Sequence, residues 1–442
     1  MQIEEEENLC CYQCDTIIRG IQNDSKSLGD RVKVPLCELC TRVNQLKWTQ
    51  WDSIDVSLTM DGTLQEKNKR YALVTGGRMK IGFHIALRLL KSGFTVMVTT
   101  RFPWVAANSY KQEPDYSQWG HRLHVYGVDF RHLPSVQSLV QNVIKTFPRL
   151  DILINNAAQT IRRPRAYYHS LLNQEQSLIE NNQSNQLQSH FIQSLKDLKL
   201  NEEKDGEKDR EGEIINFHVM ECSKMTQIEL LEHDKDSRDD KLYPVGRMDV
   251  SGQQVDMRKK TTWRETIQET SPIELLEVQL INCTVPFMLI SQLSHLMTRP
   301  TDTQTHYNDN WRFIINVSAQ EGSFTSHSHG RGIHVHSNMA KASLNMMTYS
   351  IAESYLAKSI YVCGVDTGWC SKMTAQDHNA RSVPLNDRDG ACRILDPIFQ
   401  LLSSNNESDQ ESKQLKTAGF MFRHYRLENN NDYSGKYNGP IV

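Results

Sequence analysis

The chain has 442 residues, of which 38% are hydrophobic and 23% charged, and it carries a net charge of −3. This length suits one large α/β domain with appendages as well as two or three average domains, and the low apolar content indicates a normal core diluted by a polar insertion. The small net charge gives no electrostatic reason to expect a nucleic acid or a membrane surface as partner, so we expect a soluble cytoplasmic protein.

Residues 1–48 form a cysteine-rich module. They begin acidic, without the basic and apolar parts of a signal peptide. Cys11 and Cys14 form one Cys-x-x-Cys pair, and Cys37 and Cys40 form another, with 22 residues between the two pairs. Two such pairs offer four thiolates to one tetrahedral ion, and so short a segment has little core of its own. We therefore predict a structural zinc site, and we expect any protein partner to bind through this module.

Two alternatives to the zinc site stay open at this point. The cysteines could lie by coincidence in a reduced tail, and Cys10 could pair with Cys14 instead of being a spare. A redox role is disfavoured because neither pair follows a strand of a βαβ unit. A polar connector at 49–69 then leads to the main domain, which we place at 70–425.

A glycine turn opens the main domain. The apolar strand at 71–74 leads directly into the turn at 75–82, and a helix pattern with apolar residues at 85, 87, 89 and 90 follows. Strand, glycine turn and helix N-terminus in this order are typical of a dinucleotide site, because the backbone can approach a pyrophosphate there and free N–H groups point at it. The candidate contacts in the turn are Thr75, Gly76, Arg78, Lys80, Ile81 and Gly82.

The next strands each end in a polar residue. The strand at 95–100 ends in Arg101, about twenty residues past the glycine turn, where an acid would read the ribose of NAD. A basic side chain at this place suits a 2′-phosphate, so we predict NADP(H) rather than NAD(H). The third strand ends in Asp129, and the fourth ends in the turn Asn155-Asn156-Ala157.

A long polar stretch at about 170–261 interrupts the pattern. It is rich in Asn, Gln and charge, so it cannot bury enough apolar surface to offset its ordering entropy. We expect at least 170–212 and 231–240 to be a mobile excursion on the surface, and a tolerated loop insertion is favoured over a docking motif.

Regular pattern resumes near Pro272. The most apolar long run, residues 278–296, contains five interrupting polar residues and predicts no membrane span; Asn282 lies in its helix pattern. A strand at 311–318 ends in Ser318, Lys341 lies on the helix-like stretch beyond it, and a sixth strand covers 359–365.

This series resembles the short-chain dehydrogenase/reductase family over about residues 70–165 and 270–400. The family's Thr-Gly-x-x-x-Gly-x-Gly is matched at Thr75, Gly76 and Gly82, with Lys80 in place of the middle glycine. Its Asn-Asn-Ala-Gly turn is matched at 155–157, with Ala158 in place of the glycine. Its adenine-side Asp corresponds to Asp129 and its active-site Asn to Asn282. The resemblance implies an α/β fold of the Rossmann type, with a doubly wound, mostly parallel seven-stranded sheet between two layers of helices.

The departures from the family lie at the reacting end. The family's proton donor is a Tyr four residues before its Lys; Lys341 is present, but Ser337 stands at the Tyr position. The substrate-orienting Ser is replaced by Ala319, with Ser318 one residue early. A phenol titrates near 10 and an aliphatic hydroxyl is a far weaker acid, so Ser337 cannot simply take over the role.

Two classes of function follow from these departures. The first is an NADP(H)-dependent oxidoreductase acting on an unassigned small molecule, with an altered proton relay through His336, Ser318 or water. The second is a catalytically inactive NADP(H)-binding protein that acts as a sensor or scaffold through its zinc module. The chain also resembles a divergent family branch with a small hydroxyl residue at the Tyr position, through 252–257, 336–341 and 365–369. That branch implies no substrate, and the oligomeric state is left open.

A histidine cluster lies beside the expected active site. The segment 326–336 contains two pairs of alternating histidines, which would face one way on an extended chain and could bind a metal. A solvated histidine-rich loop is the preferred interpretation. The four residues are His327, His329, His334 and His336.

Overall fold

A computed structural model describes residues 10–14, 16, 36–52, 69–184, 222–231, 234, 240–249, 251–298, 311–323, 332–371, 383–403, 418–419 and 421–428. The described chain is built around one eight-stranded sheet in the order β3-β2-β1-β4-β5-β6-β7-β8. Its strands are β1 (Tyr71–Val74), β2 (Thr95–Thr100), β3 (Leu123–Gly127), β4 (Ile152–Asn155), β5 (Arg312–Ser318), β6 (Ile360–Asp366), β7 (Met421–Arg423) and β8 (Arg426–Glu428).

The first seven strands are parallel, and β8 pairs antiparallel with β7. The doubly wound, mostly parallel seven-stranded sheet expected from the resemblance is thereby confirmed, with one antiparallel strand added at its edge. Parallel strands place all their carboxyl ends at one edge of the sheet. The strand order reverses between β1 and β4, so the turns that follow these two strands meet at the crevice where such folds bind ligands.

Helices cover both faces of the sheet. Strand side chains alternate between the layers: Ala72 and Val74 pack on the side of α2 and α10, and Leu73 packs on the side of α5 and α8. Strands buried on both faces read as continuous apolar runs, which is why β1 has no polar residue. The helices are α1 (Glu38–Asp52), α2 (Lys80–Lys91), α3 (Pro103–Lys111), α4 (Tyr116–Trp119), α5 (Leu133–Thr146), α6 (Arg165–Ser184), α7 (Pro272–Gln279), α8 (Val285–Met297), α9 (Val335–Leu356) and α10 (Asp387–Ser403), with a π-helical turn (Leu280–Thr284) joining α7 to α8.

The described parts of the polar stretch, which include 170–184 and 251–261, are more ordered than the sequence suggests. The prediction of a mobile excursion is wrong over 170–184, which continue α6, because apolar Leu171, Leu172 and Leu178 pack in a small aromatic cluster. The same prediction is wrong at Asp234, which is buried and forms an ion pair with Arg162 at 2.7 Å. Residues 185–221, and His327 and His329 of the histidine cluster, lie outside the described residues.

The continuous helical run Pro272–Met297 is, by length and apolar composition, the one candidate for a membrane span within the described ranges. In the structure 44% of its apolar window is buried. The side chains of Val285, Leu289 and Leu293 are fully buried in the core layer beneath the sheet. These contacts make the run a core helix of the domain.

Candidate functional site

The glycine turn after β1 is built for close approach of two backbones. Gly76 adopts φ +71°, and a Cβ added there would lie 2.9 Å from the Cα of Ala157. A Cβ on Gly82 would lie 2.1 Å from the carbonyl oxygen of Gly76 and 2.6 Å from the side-chain nitrogen of Asn156. Both positions therefore require glycine, and the turn after β4 lies directly against the turn after β1.

Thr75 and Asn156 lock these two turns together. The Thr75 hydroxyl accepts hydrogen bonds from the N–H groups of Asn156 and Ala157, both at 2.9 Å. The Asn156 amide donates in return to the Thr75 carbonyl at 2.9 Å. Asn155 faces the interior, where it donates to the Asn316 side chain at 2.8 Å. Asn155 thus supports the sheet edge, while Asn156 and Ala157 line the cleft beside it.

Helix α2 begins at this turn without a side-chain cap. Met79 at the N-cap makes no side-chain hydrogen bond to the helix. The N–H groups and the positive end of the helix dipole are thus available to an anion. Lys80, at the family's middle glycine, adopts the left-handed φ of +53° that a glycine would take. Burial lowers the pKa of its ammonium, and Asp249 and Asp387 oppose this shift.

A cleft of about 360 Å³ runs over the carboxyl ends of β1, β2 and β4. Two arginines converge at its far end. The Arg101 guanidinium donates to the Tyr168 hydroxyl at 3.1 Å and lies 4.9 Å from the centre of that ring. The Arg78 guanidinium lies 5.7 Å from the centre of the Phe102 ring, and burial together with the nearby Arg101 charge lowers its pKa. An arginine remains protonated under all ordinary conditions, so this end of the cleft is positive.

Asp129 lines the same cleft but already has a partner. Its carboxylate forms an ion pair with Arg131 at 2.7 Å, and Arg131 also donates to the Met225 carbonyl at 3.0 Å. Burial raises the pKa of Asp129, but the Arg131 charge and hydrogen bonds outweigh it and leave the pKa below its usual range. Asp129 is therefore an ionised hydrogen-bond acceptor at the rim of the cleft.

Asn282 lies in the π-helical turn between α7 and α8. Its side-chain oxygen accepts from the Gln159 N–H at 2.7 Å, and its side-chain nitrogen donates to the Gln159 carbonyl at 3.0 Å. This two-way pairing ties the turn after β4 to the helix. It uses one of the two N–H donors of the amide and one of the two lone pairs of its oxygen, and leaves one of each for a further contact.

Lys341 on α9 is buried, and its ammonium donates to the Val317 carbonyl at 2.7 Å. Burial lowers its pKa to about 8, while Glu321, Asp366 and Cys283 oppose the shift. Burial is also the main cause that raises the pKa of Glu321. The carboxyl groups of Glu321 and Asp366 thus lie near enough to affect the pKa of Lys341, and the sequence analysis did not single out either of them.

The hydroxyl and imidazole candidates have partners of their own. The Ser318 hydroxyl donates to the Asn345 side chain, and Ser337 is buried in the first turn of α9. His336 lies against α7, 3.4 Å from the Thr270 hydroxyl and 3.7 Å from the Glu274 carboxylate. Burial lowers the pKa of His336 and raises that of Glu274 to about 7, so burial disfavours the charged form of each partner.

The predicted site residues therefore fall into two groups. Within the described ranges the cleft is lined by Gly76, Arg78, Lys80, Ile81, Gly82, Arg101, Asp129, Asn156 and Ala157. The others are buried and do not belong to its lining: Thr75, Asn155, Asn282, Ser318, His336, Ser337 and Lys341. The lining residues that the sequence analysis did not single out include Tyr168, Gln253 and Asp387. Gln253 comes from the polar stretch, where no periodic pattern marked it.

The four paired cysteines meet in the amino-terminal module. The sulfur atoms of Cys11, Cys14, Cys37 and Cys40 all lie within 4.8 Å of one another, and Cys14 and Cys37 are 3.7 Å apart. Zn–S bonds of about 2.3 Å in a tetrahedron separate the sulfurs by about 3.8 Å, so the geometry fits a metal ion. The backbone N–H groups of Cys37 and Cys40 donate hydrogen bonds to the sulfurs of Cys11 and Cys37, respectively. Such bonds stabilise the thiolate form, which is the form that binds a metal. Cys10 is exposed and is not one of the four.

Fold and cleft together define a doubly wound α/β protein of the Rossmann type. The sequence profile described as short chain dehydrogenase matches residues 70–225. Over this region the chain is similar to that family, in agreement with the strand order and the glycine turn.

Among known proteins, an uncharacterized protein of Acanthamoeba polyphaga mimivirus is 31% identical over 344 residues, which are 74% of this chain and 62% of that protein. A (+)-neomenthol dehydrogenase of Arabidopsis thaliana is 35% identical over 97 residues, 21% of this chain and 32% of that enzyme. The chain thus spans less than two thirds of the length of either relative.

Solved structures of similar fold include the NADPH-bound carbonyl reductase from chicken fatty liver, at 15% identity and a TM-score of 0.46, over 81% of this chain and 92% of that one. The carbonyl reductase Sniffer of D. melanogaster gives 15% identity and a TM-score of 0.46, over 81% and 97% of the two chains.

Proposed function

We propose that this protein is an NADP(H)-binding oxidoreductase of the short-chain dehydrogenase/reductase type with a non-standard active site, acting on a small molecule. The convergence of Arg78 and Arg101 at one end of the cleft carries the proposal. Two guanidinium groups beside the end of β2 suit a 2′-phosphate, which they can hold by charge-assisted hydrogen bonds. No acidic side chain ends β2, where a free ribose would be read.

The remaining lining residues fit the rest of the cofactor. The first turn of α2 would hold the pyrophosphate with its N–H groups, since no side chain caps this helix end. Asp129 offers an acceptor to the adenine. When bound, the cofactor supplies or accepts a hydride. This chain's own task would be to orient the substrate oxygen, exclude water and move one proton.

The site lacks the two side chains that the family uses for proton transfer and substrate orientation. Ser337 and Ala319 stand where the family has its phenol and hydroxyl, so the candidates for the relay are His336, Ser318 and water. Lys341 could hold the nicotinamide ribose with its ammonium, provided that it exchanges its bond to Val317 for one to the sugar. Removing a positioned acid typically costs about 10²–10⁴-fold in rate, so low turnover is expected.

A second function is favoured by the burial of these groups. Lys341, Ser337 and His336 are buried and do not line the cleft, and the 2′-phosphate and pyrophosphate ends of the cofactor can be held without them. The protein would then be a catalytically inactive NADP(H) sensor or scaffold. Its amino-terminal module would hold one structural zinc ion on Cys11, Cys14, Cys37 and Cys40 and present a surface to a protein partner.

The two functions differ in a rescue experiment. Wild type and the double variant Ser337→Tyr with Ala319→Ser would be compared for NADPH binding and for single-turnover oxidation of NADPH with a panel of carbonyl compounds. If the scaffold is otherwise that of an oxidoreductase, restoring the phenol should raise hydride transfer. Unchanged NADPH affinity and thermal unfolding would show that the new ring fits at the buried position 337.

Each outcome assigns a function. Very low wild-type turnover that the double variant raises supports the oxidoreductase. NADPH binding with no turnover in either protein supports the sensor. Robust wild-type turnover unaffected by Ser337→Ala and His336→Ala would show that another donor carries the chemistry, and absence of NADPH binding refutes both functions.

A further inference from the structure

The cysteine module reaches the edge of the cofactor cleft through one tyrosine. Tyr12 lies between Cys11 and Cys14, and its hydroxyl accepts a hydrogen bond of 2.7 Å from the backbone N–H of Trp369. Trp369 follows β6, at the same edge of the sheet as the cleft. Its indole N–H donates to the carbonyl of Ser371 at 3.0 Å, and Ser371 lines the cleft.

Tyr12 contacts the turn around Gly368, where the backbone adopts a left-handed conformation. Gly368 adopts φ +73°, and its N–H donates to the Asp366 carboxylate at 2.8 Å. The Tyr12 hydroxyl lies 3.4 Å from the point where a Cβ on Gly368 would stand. The ring of Tyr12 is itself fixed edge-on against His424, with centroids 5.2 Å apart. The phenol thus closes one side of the turn that leads to Ser371.

The module is fastened to the nucleotide-binding domain at several further points. Arg393, buried in α10, donates to the Gln13 and Asn44 side chains, both at 3.1 Å. The Trp48 indole donates to Asp389 at 3.1 Å, in the first turn of α10. Asp387, the first residue of the same helix, also lines the cleft. The module and the cleft therefore share two structural elements, the turn after β6 and the start of α10.

We propose that Tyr12 is a positioning residue of the cofactor site, and that metal binding by the four cysteines is thermodynamically coupled to NADP(H) binding through it. The ion fixes Cys11 and Cys14 and thereby the phenol between them; the phenol fixes Trp369 and Ser371. Loss of the ion frees Tyr12 and leaves the cleft edge to be ordered by the cofactor itself. Coupling is reciprocal, so NADPH should raise metal affinity by the same factor as the metal raises NADPH affinity. The coupling rests on the proposed cofactor function.

The first test needs no cofactor. Amide hydrogen exchange of the segment containing Trp369 is measured in the metal-loaded full-length protein, in the chelator-treated protein and in the metal-loaded variant Tyr12→Phe. Exchange should speed up in both altered proteins, because the acceptor of the Trp369 N–H is displaced or removed. Tyr349→Phe, at a ring that is 60% exposed on α9, serves as the matched control and should exchange like wild type.

The second test measures the NADPH dissociation constant of the same proteins. Tyr12→Phe should weaken binding by about five-fold at unchanged metal content, which is the usual effect of one lost hydrogen bond. Chelation should weaken wild-type binding by at least this factor but change the affinity of Tyr12→Phe much less. Equal exchange at Trp369 in wild type and Tyr12→Phe overturns the positioning role. Equal effects of chelation on both proteins overturn the coupling.

The two tests also separate this inference from the proposed function. A wild type that binds no NADPH refutes the cofactor function and the coupling, while the exchange measurement still decides whether Tyr12 holds the turn after β6. A wild type that binds NADPH with the affinity of Tyr12→Phe leaves the cofactor function standing and removes the inference.

Discussion

Replacing Arg101 by alanine should separate the two nicotinamide cofactors. The guanidinium is fixed against the Tyr168 ring, where it is ready to meet an anion at the end of β2. A hydrogen bond to a charged group is worth about 1.5–3 kcal/mol, which corresponds to roughly 10- to 100-fold in the dissociation constant. Arg101 is only half-buried and Arg78 remains nearby, so solvent screening and the second charge favour the lower end of this range. We expect Arg101→Ala to weaken NADPH binding about ten-fold.

The assay is a pair of calorimetric titrations, with NADPH and with NADH, on wild type and variant. NADH lacks the 2′-phosphate, so its affinity should change little and reports whether the cleft survives the substitution. Tyr168→Phe removes the hydroxyl partner of Arg101 but keeps the ring, which controls for loss of stacking. Equal affinity of the wild type for both cofactors, or an equal loss for both in Arg101→Ala, would refute the reasoning.

Three other predictions concern the metal, the turn and the buried lysine. Purified protein should contain about one zinc per chain by elemental analysis, and Cys37→Ser with Cys40→Ser should lose it; a full zinc content in that variant would exclude the site. Gly82→Ala should lower the free energy of unfolding by about 3 kcal/mol and abolish NADPH binding, because the new Cβ would lie 2.1 Å from the Gly76 carbonyl oxygen. The control Gly246→Ala places its Cβ more than 4 Å from any other atom beyond its chain neighbours, so only the left-handed backbone should cost about 1–2 kcal/mol. The free energy of unfolding of wild type relative to Lys341→Met should rise by up to about 3 kcal/mol between pH 8 and 10.5, because the folded chain releases this proton near pH 8 and the unfolded chain only near 10.5. A pH-independent difference in denaturant melts would contradict it.

The sequence predicts the glycine turn after β1 because the relevant signals are local. A glycine that must avoid a neighbouring backbone, as Gly82 does, leaves its mark at one position, and the strand before it is apolar on both faces. Lys80 shows the limit of such reasoning. Its side chain breaks the family's glycine pattern, yet the backbone keeps the left-handed conformation that the pattern requires.

The polar stretch could not be predicted in the same way. Composition alone indicates that 170–184 lack a core, but Glu175 accepts hydrogen bonds from the N–H groups of Trp104 and Val105 and so caps the start of α3. Burial raises the pKa of Glu175 to about 7. Polar residues that satisfy a distant helix end leave no periodic pattern, and the contact joins residues some 70 positions apart.

The contact of Tyr12 with Trp369 is beyond sequence reasoning for a related reason. The two residues are 357 positions apart, and one belongs to a module that the cysteine spacing presents as self-contained. Cysteine spacing reveals how the four sulfurs meet, because ligand geometry is local. It carries no information about which surface the module then covers.

The two proposed functions make opposite demands on Lys341. In an oxidoreductase the ammonium must turn from the Val317 carbonyl toward a ribose, and a pKa lowered to about 8 makes the neutral amine accessible without strong base. In a sensor the ammonium can stay where it is, and its burial is then only a cost in stability that Glu321 and Asp366 reduce. The charge environment suits either role, but the hydrogen bond to Val317 distinguishes them. Holding the nicotinamide ribose through Lys341 requires that this bond be broken when the cofactor binds, whereas a sensor that holds only the rest of the cofactor keeps it.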